Sequence, residues 1–438
     1  MRFWRIVTGR LEFRSKFLGN WFRKKYISIG DDLVVALLLT VLIAGINFNV
    51  TKAVNSSNSG TSVGGIIWEN TTWTLENSPY VFIDDVTVAE GVTLTIEPGV
   101  TINLDLWSLI VEGTLIARGN ETHRIKFLSF EEPLHAWFPR IYFDEDSTPW
   151  NETLGNGCII EHAEINVVNQ HYEVIRGGFP KISNNVIINY AKEAAAIFIK
   201  GGIISNNTII GGYRGITTEG SESPLILYNI IKETGSGGAI CIGYETVPTI
   251  IGNLIIDNQK GITFFKPMGY YIANNTVLRN SIGFYFTSYI SASSLGTIIY
   301  NNIFSNDYDV LVEKEDPRIT INMTYNWWGT TNSSLIDQKI YDKNDNRRLS
   351  FVNYTPLLTS RALSFDNTPP PVTTHDYDGT WHNTDFTITL TATDNETGVA
   401  ETYYKINGGP VRTVSVDGQP VITTEGANNT LEYWSVDC

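Results

Sequence analysis

From about residue 180 the sequence repeats itself every 22 to 27 residues, and no other feature restricts its fold as much. Segments such as KISNNVIINYAKEAAAIFIKG, IISNNTIIGGYRGITTEGS and TIIGNLIIDNQKGITFFKP each carry two short apolar bursts separated by Asn and Gly. An asparagine recurs at Asn185, Asn207, Asn229, Asn253, Asn275, Asn302 and Asn326, with spacings of 22, 22, 24, 22, 27 and 24. A glycine follows in its own register at Gly215, Gly238, Gly261 and Gly283, spaced by 23, 23 and 22.

A period this short excludes helical-pair repeats, and the fixed leucine pattern of other repeats of this length is missing. The pattern predicts an all-β chain: a right-handed parallel β-helix of about 22–24 residues per turn, with short strands joined by bends. Asparagine suits a bend because it tolerates left-handed backbone conformation. Stacked Asn side chains can also bond from rung to rung along the solenoid. Each turn touches only its neighbours, so both ends need caps. Trp327 and Trp328 suit the distal cap, since two large rings can cover an open apolar end.

Upstream, short alternating strands with Glu-Gly and Pro-Gly turns at Glu90, Pro98 and Glu112 fit the opening turns. The helix is expected over residues 65–360, preceded by a linker at 51–64. Residues 1–32 hold eight basic and three acidic side chains, a net +5, so the remainder carries −20 of the total −15. An acidic body argues against nucleic acid as partner, because phosphate binding needs a basic face. The basic stretch precedes the uncharged run Leu33–Ile46. That order keeps the first residues in the cytoplasm and sends the rest outward. The segment 33–50 is a signal peptide or a membrane anchor, the run itself being short for a full span. Sequons agree with export and make Asn70, Asn120, Asn151, Asn206, Asn322, Asn353 and Asn395 glycosylation candidates. The three cysteines, Cys158, Cys241 and Cys438, form neither a metal spacing nor a disulfide framework.

Residues 65–356 resemble the right-handed parallel β-helix repeat proteins of archaeal and bacterial surfaces. VTVAEGVTLTIEPGVTINL with LIVEGTLIARG carries the resemblance near the start, and YNWWGTTNSSLIDQKIYDKNDNRRLSFVNYTPLL at Tyr325–Leu358 carries it at the end. The resemblance implies a surface location and says little about activity. After a Pro-rich linker at 361–375, residues 376–438 alternate as FTITLTATD, TYYKING, VRTVSV and TLEYWSVD. These short strands read as an Ig-like β-sandwich. LTATDNETGVAETYYKING and EGANNTLEYWSVD resemble the repeated Ig-like modules of surface proteins, which continue past this closing motif, so the module reads as truncated.

Two function classes follow. The first is a non-catalytic surface or adhesion protein, secreted or anchored, whose β-helix side engages polysaccharide or surface-layer proteins. The second is a polysaccharide-active enzyme, a Ca²⁺-dependent lyase or a glycoside hydrolase, which needs clustered carboxylates and a nearby base. Its candidates are Asp144, Asp146, Glu161, Glu164 and Arg176. Acids do not recur at one register in the regular turns, which favours the first class. For Ca²⁺, the one cofactor in view, Asp366, Asp394 and Glu396 near the linker offer oxygen ligands.

Overall fold

The computed structural model describes residues 3–7, 10–14, 60–129, 140–167, 172–190, 192–362, 372–393, 399–424, 426 and 429–437. The chain divides into Met1–Ser59 and Gly60–Cys438. In the first unit, Phe3–Val7 and Arg10–Arg14 pair as an antiparallel hairpin. The apolar segment 33–50 lies outside the described residues. Among the described residues no helix is long and apolar enough to cross a membrane.

The second unit opens with a parallel β-helix. Its first strand, Thr61–Ile67, pairs with Tyr80–Val88, so the stretch 51–64 read as linker already runs into the first rung. Each regular turn contributes three strands, such as Lys181–Ser183, Val186–Asn189 and Ala195–Ile199. Stacking these turns gives three parallel faces. Face 1 is a ten-stranded sheet running from Thr71–Trp73 to Thr297–Ile299. Faces 2 and 3 belong to one continuous sheet, joined by the long strand Tyr80–Val88, which pairs with both.

Burial explains the regularity. On face 1 the middle residue of each strand points inward, so Ile160, Ile182, Ile204, Ile226, Ile250 and Ile272 stack in register and are fully buried. Each such side chain removed from water contributes about 1.5–3 kcal/mol. Parallel rungs stacked in this way make the core a row of like residues.

The bend between faces 1 and 2 is two residues long in every regular turn. Its first residue has positive φ: Asn184 58°, Asn206 55°, Tyr228 57°, Gly252 69°, Asn274 57°, Tyr300 58° and Tyr325 58°. Its second residue builds the ladder. Asn185 Nδ2 donates to Asn207 Oδ1 at 3.0 Å, Asn207 to Asn229 at 2.9 Å, Asn229 to Asn253 and Asn253 to Asn275, both at 2.9 Å. The next rung is Asn301, reached from Asn275 at 2.9 Å, and it donates onward to Asn326 at 3.0 Å. Asn302, read from the spacing as the ladder residue, instead starts the next strand. Its amide contacts Thr276 Oγ1 and the Ala362 backbone. The physical reason is the bend itself: the ladder residue must follow the positive-φ residue, and Tyr300 is that residue.

A shorter ladder lines the bend between faces 2 and 3. Thr234 donates to Asn258, Asn258 to Asn280, and Asn280 to Asn306. It ends on a buried carboxylate, with Asn306 Nδ2 donating to Asp309 Oδ1 at 2.8 Å. The distal end is closed by Trp328, which is buried in the core with Ile336, Ile340 and Val352 and meets Tyr354 edge-on at 5.9 Å. Trp327, paired with it in the sequence reading, is only half-buried. Its backbone bridges to Asn302 instead.

Beyond residue 371 the described residues form short antiparallel pairs. Val372–His375 pairs with Leu390–Thr393, and Val399–Ile406 pairs with Leu431–Asp437. The first of these strands occupies the end of the stretch 361–375 read as linker. Ile388, Leu390, Tyr404 and Ile422 form a separate small core there.

Candidate functional site

The carboxylates and the arginine proposed from sequence are spread over three faces. Glu161 points out from face 1, accepting from Ser183 Oγ at 3.2 Å and Asn184 Nδ2 at 3.4 Å. Glu164 lies past the bend on face 2, opposite Lys126. Arg176 is on face 3, bonded to Glu173 at 3.0 Å and stacked 4.5 Å from the Phe198 ring centroid. Asp144 and Asp146 sit just after the face 3 strand Ile141–Phe143, where the Asp146 N–H donates to Asp144 Oδ1 at 3.3 Å. Their neighbour Glu145 is paired with Lys200. Glu161 and Glu164 therefore lie on other faces than the Asp144, Asp146 and Arg176 group. Asp366, Asp394 and Glu396 lie outside the described residues, as does the sequon residue Asn395. Asn70, Asn120, Asn151, Asn206 and Asn322 are exposed and Asn353 is half-buried.

Face 3 carries the more distinctive surface. Its outward-facing row runs in register through Tyr142, Arg176 and Phe198, then Thr217, Cys241, Thr263 and Tyr285. The inward neighbours Ile216, Ile240 and Ile262 are core residues, so alternation turns this row to the outside. Yet Thr217, Cys241 and Thr263 are only 5%, 4% and 6% exposed. Small side chains form a floor here between the larger Phe198 and Tyr285, and two cationic side chains lie along it.

Those cations come from the flanking register. Arg214 pairs with Gly238 across the rungs, and Lys260 follows one rung on. Gly238 has φ +101°, and a Cβ there would lie 2.7 Å from Thr263 Oγ1. Glycine at this position removes the side chain that would separate the two cations. Lys260 Nζ lies 3.8 Å from the Tyr285 ring centroid and Arg214 Cζ 4.9 Å from that of Tyr213. Among the described residues neither cation forms an ion pair. Burial pushes the Cys241 thiol up against the opposing pull of Arg214 and Lys260. Burial likewise holds the Lys260 ammonium down, with Glu313 opposing. The Tyr285 hydroxyl is raised first by burial and then by the neighbouring Glu313 carboxylate.

An aromatic row runs along the far edge of the same face. Tyr244 meets Phe265 at 5.1 Å, Phe265 meets Tyr289 at 4.6 Å, and Lys266 Nζ lies 5.7 Å from the Tyr244 ring. Tyr244 is 41% and Tyr289 55% exposed, so ring faces are open to solvent. The aromatic row and Lys260 were not singled out from sequence. A signal for Lys260 was present, because it stands directly before the repeating glycine Gly261, as Arg214 stands before Gly215.

The stacked rungs, the asparagine ladder and the capped apolar core define a parallel β-helix repeat protein. Within it, residues 143–344 match the family model described as periplasmic copper-binding protein (NosD). No curated protein and no solved structure matches the chain. Among the described residues the donors do not gather into a copper site. Cys158 is buried beneath Gly113, Cys241 lies on the floor of face 3, and Met323 is in the distal core. Among the described residues no three His, Cys, Asp or Glu side chains converge.

Proposed function

We propose that this is an extracytoplasmic, non-catalytic β-helix protein that holds glycan chains along the aromatic edge of face 3. The observation that carries this reading is the row Tyr244, Phe265 and Tyr289 on consecutive rungs, in which the exposed Tyr244 and Tyr289 rings flank the half-buried Phe265. Sugar rings present apolar C–H faces that stack on such surfaces, and Tyr adds a polar edge. The basic stretch before an apolar run and the periplasmic description of the matching family model support the location. The dispersal of Glu161, Glu164 and Arg176 over three faces supports binding without turnover.

The test is equilibrium binding of the purified full chain to neutral polysaccharides such as dextran and laminarin, with release of reducing or unsaturated ends recorded in parallel. Retention that Tyr289→Ala weakens, without product release, is the expected result. Product release would replace the reading with a polysaccharide-active enzyme. Retention unchanged in Tyr289→Ala and Tyr244→Ala would remove the aromatic row from the account.

A further inference from the structure

We infer that face 3 carries a built site for an acidic substituent of a glycan, a carboxylate or a sulfate, on the floor Thr217–Cys241–Thr263 between Arg214 and Lys260. The inference rests on the glycan reading above and adds the charge class of the ligand. Its first support is a concentration of unmet hydrogen-bonding groups. Four of the six buried side-chain polar atoms that lack a partner among the described residues are Arg214 Nε, Thr217 Oγ1, Thr218 Oγ1 and Thr263 Oγ1. Thr218 faces inward, stacked in register with Ile199 and Ile242, and the other three belong to this floor and its wall. A buried group left unpaired costs about 1–3 kcal/mol, and native structures leave few of them. Three on one outward surface point to a partner that is absent from the chain itself.

The chemistry of the unmet groups selects that partner. A guanidinium N–H donates only, an ammonium donates only, and each threonine hydroxyl can donate to an acceptor. Carboxylate and sulfate oxygens supply acceptors and opposite charge together. Neither cation makes a direct ion-pair contact among the described residues, on a chain of net charge −15. Glu219 acts on Cys241, and Glu313 acts on Lys260 and Tyr285, so an incoming anion competes with Glu313 for the Lys260 ammonium. Three rungs about 4.8 Å apart give a floor roughly 10 Å long, close to one sugar ring with its substituents. Phe265 follows Thr263 by two residues on the same outer surface, so a sugar on the aromatic row is within reach of the floor. Arg214 and Lys260, resting against the Tyr213 and Tyr285 rings, have long flexible stems that can turn toward a ligand on the floor.

The experiment measures binding of the full chain to dextran, polygalacturonate and dextran sulfate by calorimetry at one fixed salt concentration. At least one anionic polymer should bind about tenfold or more tightly than dextran, and the two anionic arms distinguish carboxylate from sulfate. Lys260→Met and the near-isosteric Thr263→Val should remove that preference while leaving dextran binding unchanged. Arg348→Ala, an exposed cation in the distal cap, should leave the preference intact. Urea midpoints of the variants confirm folding. Equal affinity for all three polymers, with dextran binding still lost in Tyr289→Ala, would overturn the anion site and spare the glycan reading. A preference that falls equally in Arg348→Ala and Lys260→Met would overturn it as general charge attraction. Absence of binding to every polymer would overturn both.

Discussion

Asn229 sits fully buried in the middle of the long ladder, and its replacement tests what the ladder contributes. Its Nδ2 donates to Ile204 O and Asn253 Oδ1, both at 2.9 Å. Its Oδ1 accepts from Asn207 N at 3.0 Å and Asn207 Nδ2 at 2.9 Å. Asn229→Ala removes all four contacts. Asn207 Nδ2 keeps a partner in Ile182 O at 2.9 Å, whereas its backbone N–H loses the Asn229 acceptor inside the stack. Three lost bonds at about 1 kcal/mol each and one orphaned donor at about 1–3 kcal/mol give a destabilisation of about 4–6 kcal/mol. Asn229→Asp is the sharper probe. The carboxylate can still accept from Asn207, but it faces the Ile204 and Asn253 oxygens with no proton to offer. A buried anion in that position has its folded pKa raised above the unfolded value of about 3.9. Stability of this variant is therefore greatest at low pH and falls as pH rises. Urea unfolding followed by far-ultraviolet circular dichroism at pH 4.5 and pH 8 reads both effects as midpoint shifts. Asp should be worse than Ala at pH 8 and recover at pH 4.5. If Ala shifts the midpoint by less than about 1 kcal/mol equivalent, or if Asp and Ala are equal at both pH values, the ladder does not hold the stack together.

Three further outcomes are expected. Burial pushes the Asp309 carboxyl up to about 6, against the pull of Asn306 and Lys339. Its folded state then binds the proton more tightly than the unfolded chain, so stability falls by roughly 3 kcal/mol as pH rises from about 4 to 6. Asp309→Asn should abolish that slope in urea midpoints measured across the range. Trp328→Ala opens the distal end of the core and should lower stability by about 3–5 kcal/mol, seen as an earlier thermal transition. Burial pushes the Cys158 thiol up to about 11, so at pH 8 iodoacetamide should label it slowly in the folded chain and rapidly in urea, by mass spectrometry.

Periodicity made the solenoid legible because a buried row and a two-residue bend both recur in the chain at the same interval. The ladder residues of five consecutive turns, Asn185 to Asn275, follow directly from that interval. At the adjacent pair Asn301 and Asn302 the interval alone offers two choices. The backbone decides, since the preceding residue must adopt positive φ, and Tyr300 matches Tyr228 and Tyr325 in doing so. The face 3 floor was less legible for a different reason. Thr217, Cys241 and Thr263 share no chemistry in sequence, and they become one surface only when rungs 22 to 24 residues apart are stacked. Acidic runs such as Asp144–Asp146 drew attention as sequence neighbours, but nearness along a strand does not bring Glu161 and Glu164 to one face.

The constant length of the bend between faces 1 and 2 gives the protein a quantised size. A coil can be added or lost only whole, because a partial insertion there would break both the positive-φ stack and the ladder. Ten strands on face 1 enclose nine intervals of about 4.8 Å, roughly 43 Å end to end. Growth or shrinkage of the molecule would then move its two ends apart or together in single steps of that interval. The β-helix is thus a ruler with fixed graduations, and any two contact points mounted on it keep a separation counted in rungs.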